Sequence, residues 1–275
     1  MSRARAYVAS DIAAPVAREL ERLFADDPFA GLDALPGEVY RRAPGRETRR
    51  VCIGGEAFFL KRHRGVGWRE IAKNVLVGRA PVVGAGSEFE ALQTLRAAGV
   101  RVPRPVAFAE RGRNPARRES LLLLDAVEPS QSLEDLRFAL AAGPAVGRRA
   151  ALREVAAITR AMHACGVNHR DLYICHFLCA PQHADAPQDL TLIDLHRAQR
   201  RAAVPRRWRV KDLGALLFSA AALRLSRRDR LRFVRAYTGD LREALRDARA
   251  LRLWRDVEAR AAALGREARR KGLPE

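Results

Sequence analysis

Four ionisable positions in this chain have the types and order that phosphoryl transfer requires. That chemistry needs a cation on the phosphates, a carboxylate near the attacking hydroxyl and a carboxylate to hold a metal ion. The densest stretch is Asn168-His169-Arg170-Asp171-Leu172-Tyr173-Ile174-Cys175-His176-Phe177-Leu178, a polar knot between apolar segments. Within it Asp171 is the candidate base, orienting or deprotonating a substrate hydroxyl. Lys61 ends the strand-like run Ala57-Phe58-Phe59-Leu60, where its ammonium would meet phosphate oxygens. Glu88 lies in the next well-formed helical pattern and is the expected ion-pair partner of Lys61. Glu90 competes for that role but points about 200° away on a helix of ~3.6 residues per turn. Asp194 follows the apolar piece Thr191-Leu192-Ile193, 23 residues after Asp171, as a metal-binding carboxylate would. Each position alone has a plain structural explanation, and only their joint order points to chemistry.

The elements that must position these residues change character along the chain. A helical pattern runs from Ala14 to Ala25 and ends at the Pro36-Gly37 turn. Val39-Tyr40, Thr48 to Ile53 and Ala57 to Leu60 then read as a meander broken at Pro44-Gly45 and Gly54-Gly55. Trp68 to Gly78 and Ser87 to Ala98 read as helices separated by a break at Pro81 to Gly86. Val106 to Ala109 and Leu121 to Leu124 are strand candidates. Ser132-Leu133-Glu134-Asp135 resembles a capping box that opens a helix, and Arg148 to Cys165 is a longer one. After short apolar pieces at Phe177-Leu178 and Leu190 to Leu195, nearly everything from Arg209 onward is helical, with Ser226 and Asp229 marking a capped start. Strands first and helices later predict an α+β chain with a small β-rich lobe and a larger helical lobe. The expected boundaries are a helical extension over 1–36, an N-lobe over 37–126 and a C-lobe over 127–275 with a basic helical C-terminus.

The chain has 275 residues, ample for one large core or two lobes. It has no run of roughly 18 or more apolar residues and no apolar stretch after Met1-Ser2-Arg3-Ala4-Arg5, so neither a membrane span nor a secretory signal is expected. Cys52, Cys165, Cys175 and Cys179 follow no disulfide spacing, which suits a reducing cytoplasm. Cys165, His169, Cys175 and Cys179 match no standard zinc spacing, and Cys175 and Cys179 read as apolar fillers. The net charge of +19 predicts attraction to an anionic partner. Only four of the 51 basic residues are lysines, which sets Lys61 apart: a compact ammonium is needed there, not charge alone.

His169-Arg170-Asp171-Leu172 matches the opening of the protein-kinase catalytic loop. A more specific resemblance rests on Phe59-Leu60-Lys61, Gly84-Ala85 through Glu88, Ser132 to Asp135, Asn168 to Leu178, Ile193-Asp194-Leu195-His196-Arg197-Ala198-Gln199, Val204 to Arg209 and Lys211-Asp212-Leu213. These segments, colinear from about Gly37 to Tyr237, resemble the lipopolysaccharide kinase (Kdo/WaaP) family, most closely its core heptose(I) kinases. The resemblance implies a protein-kinase-like two-lobe fold and transfer of the γ-phosphate of ATP to a hydroxyl of the first heptose of the lipopolysaccharide inner core. It places the base at Asp171, the phosphate lysine at Lys61, its partner at Glu88 and the metal ligand at Asp194. Adenine would meet the backbone around Asp125 to Val127, and Asp212 would brace the catalytic loop. The implied cofactors are ATP and Mg²⁺. The acceptor would be lipid A-linked core at the anionic inner face of the inner membrane, with acyl carrier protein as a further acidic partner.

The chain departs from the general kinase pattern in three places. No G-x-G-x-x-G precedes Lys61, so the turn at Pro44-Gly45-Arg46 has to cover the phosphates with fewer glycines. His176 stands five residues after Asp171, where protein kinases place an asparagine ligand. Imidazole suits Mg²⁺ poorly, so His176 is a candidate either for metal or for a phosphate or water contact. Tyr173 stands where a phosphate-contacting lysine is common, and Arg197 is the expected substitute, with Arg170 and His169 as further substrate or charge candidates. Two other readings compete. The same machinery would suit a protein tyrosine kinase, and the charge would suit a nucleic-acid-binding protein, against which stand the low aromatic content (6%) and the absence of a binding module.

Overall fold

The computed structural model of the protein describes residues 5–43, 45–76 and 83–272. Pro44 of the expected turn, and positions 77–82 at the end of one expected helix and the start of the break after it, lie outside the described residues. The chain divides into two compact units, Met1–Gln93 with Pro103–Ala126, and Thr94–Val102 with Val127–Glu275.

The first unit is built on a six-stranded antiparallel sheet. Its strands are β1 (Arg5–Val8), β2 (Gly37–Ala43), β3 (Arg46–Ile53), β4 (Glu56–His63), β5 (Pro105–Arg111) and β6 (Glu119–Asp125), in the spatial order β1-β5-β6-β4-β3-β2. The meander is thus present, and β1 is an element that the sequence did not reveal. Four residues are too few to announce a strand by their period, and Arg5–Val8 becomes one by pairing with β5, from Arg5↔Glu110 to Val8↔Ala107. Helices α1 (Ala14–Phe24) and α2 (Pro28–Asp33) set Val16, Leu20, Phe29 and Leu32 against Phe58, Leu60, Leu121 and Leu123 in one buried cluster. The first helix uses Pro15 near its start, where a missing N–H does no harm. Helix α3 (Gly67–Leu76) follows the sheet's central hairpin, and α4 (Gly86–Ala97) docks through Phe89, whose ring stacks on Phe108 of β5 at 4.4 Å.

The second unit is mainly helical. After β7 (Gln131–Ser132) come α5 (Arg137–Ala142), α6 (Ala145–Ala164), β8 (Val167–Asn168), β9 (Phe177–Cys179), β10 (Thr191–Leu192), β11 (Gln199–Arg200), α7 (Arg206–Ser219), α8 (Arg227–Thr238), α9 (Leu241–Arg246) and α10 (Ala248–Arg270). The short strands form two small sheets, β10-β9-β7 and β11-β8, which flank the polar knot. Ser132 and Asp135 do exchange bonds, but they close a turn, and regular helix begins only at Arg137 because Leu136 is already helical without a side-chain cap. Ser226 and Asp229 form the expected box at the start of α8. Leu213, Tyr237 and Val257 from α7, α8 and α10 close on Ala156 of α6.

One glycine is required by this arrangement. Gly166 has φ +80°, and a Cβ there would fall 1.9 Å from the Arg201 carbonyl, in the β8–β11 pairing that leads into the knot. Gly166→Ala is therefore expected to destabilise the second unit by more than 1 kcal/mol, since strain and a backbone clash add. Phe58→Ala, which empties a fully buried site, is expected to cost about 3–5 kcal/mol. Urea titrations of each variant against wild type read both effects.

Candidate active site

In the first unit, strand alternation turns Phe58 and Leu60 into the core and Lys61 to the opposite face. Lys61 Nζ donates to Glu88 Oε1 at 2.5 Å, and Glu88 is 1% exposed in the first turn of α4. The competing Glu90 is on the surface facing Arg5 at 3.4 Å, as the helical angle requires. Glu88 Oε2 is buried and has no hydrogen-bond partner among the described residues. Asp125, at the end of β6, is held by two guanidinium bonds from Arg104 at 2.9 and 3.1 Å, chiefly a hydrogen-bond effect that raises the arginine pKa further. The Asp125 N–H donates to the Arg104 carbonyl and the Ala126 N–H to the Ala57 carbonyl. In the second unit the Val127 carbonyl accepts from Ser130 Oγ at 2.6 Å.

The polar knot is held by a carboxylate 40 residues further along. Asp212, fully buried in α7, accepts the His169 N–H at 2.8 Å and the Arg170 N–H at 2.7 Å. His163 Nε2 donates to the same carboxylate at 3.2 Å, so the Nδ1 of that ring accepts from the Tyr237 hydroxyl at 2.8 Å. Burial pushes the Tyr237 pKa up to about 12. These bonds hold Arg170 at φ +77°, a left-handed conformation that its side chain disfavours. His169 Nε2 donates to the Ile193 carbonyl at 3.0 Å, and burial pushes its pKa down, so the ring is neutral and fully enclosed.

Asp171 projects from this frame. Arg197 Nη1 donates to its Oδ2 at 2.7 Å, and His176 Nδ1 donates to its backbone carbonyl at 2.8 Å. The second bond orients the ring and leaves its Nε2 facing Asp194 Oδ2, 3.6 Å away. Asp194 itself sits at φ +61°, with His196 Nδ1 donating to its Oδ1 at 2.6 Å. An imidazole nitrogen and a carboxylate oxygen facing one another suit either a proton between them or a cation held by both, and imidazole is a poor ligand for Mg²⁺. No group of three or more His, Cys, Asp or Glu side chains converges among the described residues. Metal binding at this pair would therefore need oxygen ligands from a substrate.

The second unit thus gathers Asp171, His176, Asp194 and Arg197, and the first gathers Lys61 and Glu88. Comparison with known proteins shows the family to which the chain carrying these residues belongs. The model of the lipopolysaccharide kinase (Kdo/WaaP) family covers residues 31–237. A Pseudomonas aeruginosa protein named lipopolysaccharide core heptose(I) kinase WaaP is 46% identical over 241 residues, covering 85% of this chain and 89% of that one. An Escherichia coli protein of the same name is 42% identical over 252 residues, covering 90% and 94%. A solved structure titled WaaP in complex with acyl carrier protein superposes with a TM-score of 0.75 at 39% identity, over 94% of this chain and 99% of that one. The chain belongs to the lipopolysaccharide kinase (Kdo/WaaP) family. Its fold is accordingly α+β and kinase-like, and the family uses ATP.

Within this Kdo/WaaP chain the roles of several site residues were invisible in the sequence. His163, Tyr237 and His196 support the carboxylates, and Ser219 accepts the Ile174 N–H at 3.0 Å beyond the knot. His163, Tyr237 and Ser219 have no local signal, because each acts on a partner that only folding brings near, 45 to 74 positions away, whereas His196 lies two residues from Asp194 inside a motif already visible in the sequence. Trp208 is the other omission: it stood inside a family motif, but nothing in the sequence said that Arg170 would stack on it at 5.4 Å.

Two measurements test the brace. Tyr237→Phe leaves His163 Nδ1 without its donor, and urea unfolding should show a loss of about 1–3 kcal/mol. A tyrosine whose folded pKa is raised from 10 to about 12 contributes stability that is intact below pH 10 and lost as the pH climbs toward 12. Wild type should therefore weaken across that window more steeply than Tyr237→Phe.

Proposed function

We propose that this protein is an ATP-dependent kinase that phosphorylates a hydroxyl of the first heptose of the lipopolysaccharide inner core. The observation that carries the reading is the Asp171 geometry: a carboxylate with one oxygen held by Arg197 and its backbone fixed by His176 and, through its neighbours, by Asp212. Its Oδ1 has no hydrogen-bond partner among the described residues and is placed to accept the acceptor's hydroxyl proton. In this reading Lys61, aligned by Glu88, contacts the ATP phosphates, and Arg197 neutralises charge on the transferred group. The Val127 N–H, without a partner among the described residues, is the donor left for adenine once the Asp125 and Ala126 N–H groups are engaged. Asp194 and His176 would hold Mg²⁺, whose contribution is to neutralise charge on the phosphate oxygens. Fully enclosed His169 acts through the loop, by holding the Ile193 carbonyl just before Asp194.

Residues 37–126 are assigned as the kinase N-lobe, with 1–36 as its helical extension, and 127–275 as the C-lobe with its basic helical end. We place the protein at the inner face of the inner membrane as a peripheral protein. No helix among the described residues is long and apolar enough to cross a membrane. The net charge of +19 favours an anionic surface, at about 1 kcal/mol per basic residue near it, and exposed Trp68 and Leu76 on α3 suit an interfacial contact. Acyl carrier protein is the acidic partner this charge would also suit. The second unit has an apolar cavity of about 520 Å³ lined by residues such as Leu152, Leu213, Leu216 and Trp254, where a carried acyl group would be buried.

The deciding experiment is phosphate transfer from ATP to dephosphorylated core lipopolysaccharide. Asp171→Ala is expected to lower kcat about a hundred- to ten-thousandfold while its melting curve stays that of wild type. Equal product from the two proteins would refute the mechanism. His176→Asn is expected to change Mg²⁺ affinity, and an unchanged affinity with lost turnover would remove His176 from the metal.

A further inference from the structure

Four cations converge on one indole in the second unit. The guanidinium centres of Arg170, Arg201 and Arg207 and the ammonium of Lys211 lie 5.4, 5.5, 5.3 and 5.6 Å from the Trp208 ring. No two of them are more than about 11 Å apart, roughly one Debye length at moderate salt, so solvent ions screen their repulsion incompletely. None forms a salt bridge to a carboxylate among the described residues. Arg201 has only neutral partners, the side-chain oxygens of Asn168 and Gln199. The nearby carboxylates are bonded elsewhere, one oxygen of Asp171 to Arg197 and Asp212 to the loop backbone and His163, and two negative charges offset only part of the four positive ones. Arg170 is the sharpest case: it is 4% exposed, and its buried Nε has no hydrogen-bond partner.

A face attraction from one indole does not compensate four like charges brought this close. The Lys211 pKa is pushed down, first by burial, with Arg170 and Arg197 adding to the fall although Asp171 pulls it up. Lys211 is also one of only four lysines in an arginine-rich chain, a compact point charge on α7 one turn beyond exposed Arg207. An arrangement of this kind suits an anion.

Resting on the kinase reading above, we propose that the Trp208 cluster is an acceptor subsite. It binds an anionic oxygen group of the glycolipid, a carboxylate or a phosphate, through Arg207 and Lys211, with Arg170 and Arg201 supplying the field behind them. Arg170, 5.4 Å from the Trp208 ring, directly precedes Asp171 in the chain, so an acceptor anchored at this cluster has its anion near the base. The subsite then selects for sugars that carry an acid group near the hydroxyl to be phosphorylated. The lipopolysaccharide core carries carboxylates and lipid A carries phosphates, so either is a source of that group.

The test uses the full-length protein and three acceptors: intact dephosphorylated core lipopolysaccharide, the same with sugar carboxylates reduced, and the same with lipid A phosphates removed. Arg207→Gln with Lys211→Gln should raise the KM for intact acceptor about tenfold or more, the loss of charge-assisted hydrogen bonds, with kcat and the KM for ATP within about twofold. The stripped acceptor that lost the bound group should show a similar KM with wild type and variant, which names the source. The pair Arg207→Lys and Lys211→Arg, which keeps the charge, should restore most of the affinity. Quenching of Trp208 fluorescence by acceptor without ATP, absent in Trp208→Phe, reads binding separately from turnover. Quenching with no phosphate transfer by wild type would sink the kinase reading and leave the subsite standing. A variant that raises KM equally for all three acceptors, or raises the KM for ATP instead, would overturn the subsite.

Discussion

The buried carboxylate of Asp212 is the interaction on which the catalytic segment depends. A carboxylate with no solvent contact is unfavourable by several kcal/mol unless charge-assisted bonds replace its water. Here three donors do so, the N–H groups of His169 and Arg170 and the imidazole of His163. Two of the three belong to the loop itself, so desolvating the charge and shaping the loop are one event. Tyr237 completes the set by fixing the His163 tautomer, which links α8 to the same carboxylate.

That brace explains why strain is tolerated next to Asp171. Arg170 and Asp194 both occupy the left-handed region without being glycine, at roughly 1–3 kcal/mol each. Such conformations persist only where several contacts over-determine them, and both residues have several. Arg170 is held by Asp212 at its N–H and by Trp208 at its side chain. Asp194 is flanked by His196 and His176, with His176 bonded in turn to the Asp171 carbonyl. In the first unit the Lys61–Glu88 pair follows the same logic on a smaller scale, with α4 docked by Phe89 so that Glu88 is enclosed.

Charge organises the remainder. A surplus of +19 would be only a property of solubility and partner choice if it were spread evenly. Around Trp208 it is concentrated against neutral or committed neighbours, beside the carboxylate expected to act on the substrate. Elsewhere arginines are tied to specific acids, as Arg104 is to Asp125 and Arg49 to Asp33. The contrast between tied and untied cations separates structural charge from charge kept for a ligand.

Much of this protein was determined by its sequence alone. The meander, the helices expected from Ala14, Ser87 and Arg148, the Ser226 cap and the preference for Glu88 over Glu90 follow from period and spacing, which act over a few residues, and the Lys61–Glu88 pairing follows from the order of the strand and helix that carry them. Family membership followed from motifs of the same short range. Tertiary structure decided the features that join distant segments. It made a strand of Arg5–Val8 by pairing it with β5, turned the Ser132 box into a turn ahead of α5, and brought the His176 ring to face Asp194. It also brought four cations to Trp208. The physical reason is that a hydrogen bond or a charge contact depends on distance and direction in space, and residue type and periodicity encode neither once a turn or a pairing sets them.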